Sequence, residues 1–195
     1  MLDNHVTNIS EEVRSWLLNF NKAISNRNNR DFSTKLLKDL FFDDSHWRDI
    51  LALTWKIQTF SGSENISQLL YDTLLDHKAD GFIVNADRTA PREVTRGGKN
   101  VIEAILKFKT KFGECDGIVR LYQDREDPTR FRAWSLLTAL HELNSSNNLK
   151  DEVYKNSFEG PNWLDIRNED KLYKDRDPEV IVVGSGQAGL SIAAR

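Results

Sequence analysis

The chain has 195 residues, 39% hydrophobic and 29% charged, with a formal net charge of −3. This is ordinary globular composition, enough for one core of roughly 130–150 residues plus flanking segments. The charge balance, with no long run of either sign, argues against a nucleic-acid or membrane-surface partner. Cys115 is the single cysteine, so no internal disulfide can form and a reducing, cytoplasmic compartment is expected. The polar start, Met1 to Asn8, is no signal peptide, and no stretch approaches the ~20 apolar residues of a membrane span.

Residues 1–9 read as loose. Ser10 is an N-cap candidate, followed by Glu11 and Glu12 in a first turn. Val13, Trp16, Leu17, Phe20 and Ile24 then share one helical face. Asp31 can cap a second helix with Phe32, Leu36, Leu37, Leu40 and Phe41 on its buried side. The polar cluster Asp43-Asp44-Ser45-His46-Trp47-Arg48-Asp49 reads as a connection into a strand, where Leu51, Leu53, Trp55, Ile57 and Thr59 alternate with more polar residues. Ser63 caps a third helix bearing Ile66, Leu69, Leu70, Thr73 and Leu74.

Strands follow. One is expected from Phe82 to Arg88. Pro91 and Gly97-Gly98 bracket a basic loop or hairpin with Arg88, Arg92, Arg96 and Lys99. A strand ends in the alternation Leu106, Phe108, Thr110, Phe112, with Lys107, Lys109 and Lys111 on its solvated side. Gly113 to Gly117 reads as a turn, Ile118 to Gln123 as a strand, and Asp124 to Thr129 as a second turn. Phe131 to Leu143 is apolar on both faces, which suits a central strand, although periodicity alone leaves a helix open. Helices followed by short-turn strands predict an α+β domain, helices on one side of a curved antiparallel sheet that closes as a cone. Asn144 to Asn148 is a turn-rich boundary. Residues 149–177 are polar, with apolar anchors at Val153, Tyr154, Phe158, Trp163, Leu164, Leu172 and Tyr173, and read as an ordered linker.

The end of the chain is the most informative part. Val180 to Val183 form a β-branched run of the kind found in buried parallel strands. Gly184-Ser185-Gly186-Gln187-Ala188-Gly189 then spells G-x-G-x-x-G, and Leu190 to Arg195 favour helix. Strand, glycine turn and helix in that order are the setting of a dinucleotide fingerprint. Gly184 permits the tight turn, Gly186 the approach of a pyrophosphate, and Gly189 the close packing of helix on strand. The second strand and the ribose-binding acid, expected roughly 20 residues further on, fall past Arg195. The chain therefore reads as the front part of a longer protein, and residues 178–195 are expected to be poorly anchored and to hold no flavin by themselves.

Three stretches resemble a known family. Leu40 to Trp55 resembles the signature of an N-terminal domain found on certain fungal and bacterial flavin-dependent monooxygenases. Gly117 to Leu121, with Ala133 to Leu140, looks like later strands of that domain. Asn162-Trp163-Leu164-Asp165-Ile166-Arg167, then Asp177 to Val180 and the glycine turn, looks like its join to a flavin domain. The resemblance implies a SnoaL-like, nuclear transport factor 2-like cone over residues 10–145, a linker over 146–177, and the first β-turn-α of a truncated Rossmann-type FAD domain over 178–195. It implies a parent enzyme related to indole-pyruvate monooxygenases that holds FAD and NADPH and oxygenates a small organic substrate. On this chain Gly184, Ser185, Gly186, Gln187, Ala188 and Gly189 match the FAD motif, and the fragment alone is expected to be inactive. The alternative is a stand-alone SnoaL-like protein. That would be either an isomerase, cyclase or hydrolase using Asp49, His46 and Arg48, or a non-catalytic module that dimerises through its sheet.

Several side chains carry two readings. The 43–49 cluster can do acid–base chemistry, or it can cap turns and pair internally, which is the preferred reading. Trp16, Trp55 and Trp134 are expected to fill the core. His141 is expected to pack or to sit at the surface, with no metal set around it. Cys115, between Glu114 and Asp116, is an unfavourable place for a thiolate.

Overall fold

The computed structural model describes residues 8–26, 28–144, 162–174 and 180–193, and the chain divides into two units, Met1–Lys150 and Asp151–Arg195. In the first unit α1 (Ile9–Ser25) buries Val13, Trp16, Leu17, Phe20, Ala23 and Ile24, the face that the 3–4 spacing marks out. It starts ahead of Ser10: Asn8 holds the cap position and donates its side-chain amide to Glu11. In α2 (Arg30–Asp39) the cap is Asn29 and not Asp31; its Oδ1 accepts the Phe32 N–H at 3.0 Å. Leu37, Leu40 and Phe41 are buried as expected, but Phe32 is exposed.

The 43–49 cluster does not connect a helix to a strand. It is the strand: β1 runs Phe41–Ile50, with Ser45, Trp47 and Asp49 buried and Asp44, His46 and Arg48 exposed. Period-two alternation is present, but the inward set contains a serine and a carboxylate, which a hydrophobicity pattern scores as polar. The strand expected from Leu51 is instead a tight loop over 51–56, entered through Leu51 at φ 62°, and β2 spans only Ile57–Ser61. The third helix, α3 (Ser63–Asp76), is preceded by Gly62 at φ 87°, a left-handed conformation that glycine adopts without strain.

The remaining strands are β3 (Asp80–Val84), β4 (Arg92–Arg96), β5 (Lys99–Lys109), β6 (Gly113–Gln123) and β7 (Phe131–Leu143). Gly97 and Gly98, at φ 57° and 75°, join β4 to β5 in a two-residue turn whose twist matches the strands. The turn expected over 113–117 lies earlier, and Gly113 already belongs to β6. A Cβ on Gly113 would stand 2.0 Å from the Glu142 carbonyl oxygen, so close strand approach explains this glycine.

The sheet order is β2-β1-β7-β6-β5-β3, with β4 on β5. It is not wholly antiparallel, because β1 and β7 pair in parallel, Trp47 beside Leu136 and Asp49 beside Thr138. Inward–outward alternation looks the same for both pairings, so the sequence pattern does not distinguish them. Register shifts on β1–β7, β3–β5 and β6–β7 bend a sheet that is curved as a whole. Helices α1–α3 cover one face around a single core cluster that includes Phe20, Leu37, Phe41, Trp47, Ile66, Leu70, Phe82 and Leu106. Among the described residues no helix is long and apolar enough to cross a membrane.

In the second unit α4 (Trp163–Asp170) is capped by Asn162, whose Oδ1 accepts from the Leu164 and Asp165 N–H groups at 2.8 and 3.1 Å. The expected anchors Trp163, Leu164, Leu172 and Tyr173 are exposed, while Val153, Tyr154 and Phe158 lie outside the described residues, as does all of 145–161. The helix after the glycine turn forms as α5 (Gln187–Ala193). Val180 to Val183 do not form the expected strand and are all exposed. A parallel strand gains its hydrogen bonds only from a neighbour, and the described residues supply none beside it.

Candidate functional site

The residues singled out on β1 fall on opposite faces of the sheet. Asp49 faces inward, fully buried, and both of its oxygens are taken. They accept the Leu53 N–H at 3.1 and 3.2 Å, the Thr54 N–H and hydroxyl each at 2.7 Å, and the Thr138 hydroxyl at 2.5 Å. Thr138 in turn accepts the Trp47 indole N–H at 2.9 Å. His46 and Arg48 face outward. Nδ1 of His46 lies 2.9 Å from the Ser61 hydroxyl, and Arg48 donates to the Thr59 hydroxyl at 3.0 Å. The sheet stands between the acid and the two bases, so the proposed Asp49–His46–Arg48 set does not converge. Asp43 accepts the Ser63 hydroxyl at the start of α3.

Aromatic rings fill the space between helices and sheet. Phe41 meets Trp16 edge-on at 6.0 Å, Trp16 stacks on Phe20 at 5.0 Å, Phe20 meets Phe82 at 5.0 Å, and Phe82 stacks on Phe108 at 4.1 Å. Trp47 stacks on Phe60 beside this column. A cone interior of this kind offers rings rather than polar groups. Trp16 is in the core as expected, whereas Trp55 and Trp134 are 54% and 37% exposed. Trp55 sits against Phe112 and His77 at the mouth of the cone. Trp134 is the extra residue of a β-bulge, since Arg120 pairs with Ser135 and Leu121 with Ala133, and the bulge turns it outward.

A cleft of about 360 Å³ opens on the outside, where β3, β5, β6 and β7 meet, among Asn85, Asp87, Lys107, Glu114, Asp116 and His141. Its charges pair locally: Lys107 with Asp87 at 3.3 Å, Lys109 with Glu114 at 3.0 Å, and His141 with Asp116 at 3.2 Å. His141 is therefore a surface residue. Among the described residues no group of three or more His, Cys, Asp and Glu side chains could hold a metal. Cys115 is buried on β6. Burial pushes its thiol up to about 11, and Asp49, Asp116 and Glu114 add to the shift against a hydrogen bond from Thr110. It is expected to react with a disulfide reagent at pH 8 about a hundredfold more slowly in the native protein than in urea. Because the folded thiol keeps its proton beyond the ordinary 9.0, its contribution to stability is complete below about pH 9 and is lost as pH rises towards 11. A urea midpoint that stays flat from pH 9 to 11 contradicts this.

Sequence reading found half of one cluster, the basic hairpin with Arg92 and Arg96 and its possible role towards phosphate, and missed the residues that join it. Glu103 on β5 is enclosed by Arg92 and Arg96 from β4, at 3.5 and 3.6 Å, and by Arg120 from β6, at 2.9 Å. Burial alone raises a carboxyl, but the hydrogen bond and charge of Arg120, with Arg96 and Arg92, outweigh it and hold Glu103 below the usual range.

At the glycine motif, Gly184 has φ 107°, and a Cβ on Gly189 would stand 2.2 Å from the Gly184 carbonyl oxygen. Nothing lies within 4 Å of the place a Cβ would take on Gly186. Gly184 and Gly189 are thus fixed by the turn itself, and the open side of Gly186 leaves backbone accessible.

No family model matches the chain, and no curated protein matches it in sequence. Solved structures do. The chain is similar to nuclear transport factor 2 from Cryptosporidium parvum at 12% identity and a TM-score of 0.45, covering 69% of this chain and 96% of that one. It is similar to a nuclear transport factor 2-like superfamily protein from Salmonella enterica serovar Typhimurium at 15% identity and a TM-score of 0.45, covering 71% and 92%. A ketosteroid isomerase-like protein from Erwinia carotovora atroseptica matches at 8% identity and a TM-score of 0.45, covering 72% and 98%. The likeness concerns the α+β architecture with its curved sheet. At these identities and TM-scores nothing about activity passes from those proteins to this chain.

Proposed function

We propose that the first unit is a non-catalytic SnoaL-like module that pairs with a second copy of itself through the sheet face opposite the helices. The observation that carries this reading is the division of chemistry between the two faces. The inner face is filled by the ring column, and its buried carboxylate Asp49 is committed to the 51–56 loop and Thr138. On the outer face two cross-strand rows are apolar. Ile57, Ile50 and Ala139 form one, up to Asp116 and Lys107 at its far end, and Leu137, Ile118 and Ile105 continue from Arg48 in the next. Apolar rows on a solvated sheet face are the usual mark of an association surface. Such an interface is isologous, so one substitution acts twice. Leu137→Glu is therefore expected to convert a dimer into a folded monomer in sedimentation at about 50 μM, with unchanged circular dichroism. A wild-type chain that sediments as a monomer at that concentration overturns the reading. The isomerase, cyclase or hydrolase alternative draws no support from the placement of Asp49, His46 and Arg48.

The glycine geometry favours a second reading compatible with the first. Here the module is the front part of a flavin-dependent, NADPH-using monooxygenase acting on a small organic substrate. Gly184, Ser185, Gly186, Gln187, Ala188 and Gly189 would then face the FAD pyrophosphate, with most of the cofactor domain supplied by further chain. Exposed Val180, Ile181, Val183, Leu190 and Ile192 are the surface that such a domain would cover. The transcript beyond the Arg195 codon tests it. An in-frame continuation with a second glycine motif supports the flavin enzyme; a stop codon directly after Arg195 refutes it.

A further inference from the structure

The arginine cluster around Glu103 is larger than an internal ion pair needs. One carboxylate satisfies one guanidinium, yet three converge on it. The Glu103 side chain is only 11% exposed, and Arg120 makes the closest contact with it. Arg92 and Arg96 reach it at longer range with side chains 55% exposed, so both are open to solvent. Lys99 stands opposite Arg96 across the hairpin, and the one acid on β4, Glu93, pairs with Ile102 on the other face. The cluster thus carries positive charge in excess on a hydrogen-bonded hairpin, with two half-exposed guanidinium side chains. Arginine in that arrangement matches the oxygens of a phosphate.

Rings lie beside it. Tyr122 is two residues along β6 from Arg120 and on the same face, about 7 Å away by strand rise. Trp134, turned out by its bulge, adjoins Ser135, the residue paired with Arg120. Tyr122 and His46 each stand perpendicular to Trp134, at 6.1 and 5.7 Å, and the indole remains 37% exposed. An exposed indole braced by two rings is a platform for a planar group.

We propose that Arg92, Arg96 and Arg120, arrayed on Glu103 beside Trp134 and Tyr122, form a site for a nucleoside phosphate. The guanidiniums take the phosphate and the Trp134 face takes the base. Glu103 is a positioning residue that holds the three arginines at one place. The site lies on β4–β7 of the first unit, in the outer-face row next to Leu137 and Ile118, and does not depend on dimer formation.

The test is calorimetric titration of the full chain, and of its Leu137→Glu form, with ADP and with pyrophosphate, which has the charge and no ring. Arg92→Gln with Arg96→Gln leaves the Arg120–Glu103 pair in place and is expected to weaken both probes by about tenfold or more. Trp134→Ala is expected to weaken ADP by about tenfold and to leave pyrophosphate unchanged. Affinity for both probes is expected to fall as salt is raised. Absence of ADP binding at millimolar concentration overturns the proposal, as does binding that the arginine substitutions leave untouched. Equal loss of ADP and pyrophosphate in Trp134→Ala overturns the stacking half, and a single-stranded RNA that binds much more tightly than ADP overturns the small-ligand assignment. Monomeric Leu137→Glu that still binds ADP separates this site from the pairing surface.

Discussion

Asp49→Ala is expected to destabilise the protein by about 3 kcal/mol, with the loss read as a lower urea midpoint. The carboxylate collects two backbone N–H groups and two hydroxyls in a place water does not reach. Truncation removes the acceptor and leaves buried donors unpaired, which costs more than the bonds contributed net. Asparagine is no rescue, because its amide N–H₂ turns donors towards donors. Thr138→Val is expected to cost about 1–2 kcal/mol, since it takes one of two donors from Asp49 Oδ1 and unpairs the Trp47 indole N–H. The double variant Asp49→Ala, Thr138→Val is expected to lose less than the sum, because both act on one network. A cost below about 1 kcal/mol for Asp49→Ala would show that the 51–56 loop does not hang on this carboxylate.

That network marks where reading the sequence stopped short. The α1 and α3 faces, the Gly97-Gly98 hairpin and the long β7 were legible because their signals are local: a 3–4 period, paired glycines, a continuous apolar run. Strand β1 was not. Its inward residues include Ser45 and Asp49, and Asp49 is buried against donors of the 51–56 loop, which the sequence pattern read as strand, and against Thr138, 89 positions away in the chain. The same holds for the parallel β1–β7 pairing and for Trp134, whose exposure depends on a one-residue slip against β6. The arginine cluster was half legible. Arg92 and Arg96 stood out as part of a basic loop, but Glu103 and Arg120 join them only through two strand registers. At the glycine motif the turn and helix form locally. The strand before them does not, because its partners are not local.

Phe82→Ala is expected to cost about 3–5 kcal/mol and, in the surviving folded fraction, to create a site for small apolar molecules. Phe82 is 1% exposed and stands between Phe20, 5.0 Å away, and Phe108, 4.1 Å away, so its removal breaks the ring column between them. Its neighbours belong to α1 and β5, whose backbones are held by helix and ladder hydrogen bonds, and they cannot collapse far into the gap. A void lined by phenylalanine stays dry and accepts a benzene-sized guest. Thermal unfolding of the variant with and without benzene reads both effects. Benzene is expected to raise the midpoint of Phe82→Ala and to leave wild type unchanged. The wild-type arm bears directly on function. A benzene-induced rise in the wild-type midpoint would mean that the cone keeps an open interior, and the non-catalytic reading would give way to a small-molecule site beneath the helices. No shift in wild type, with a clear shift in the variant, is the result expected of an interior that the ring column fills.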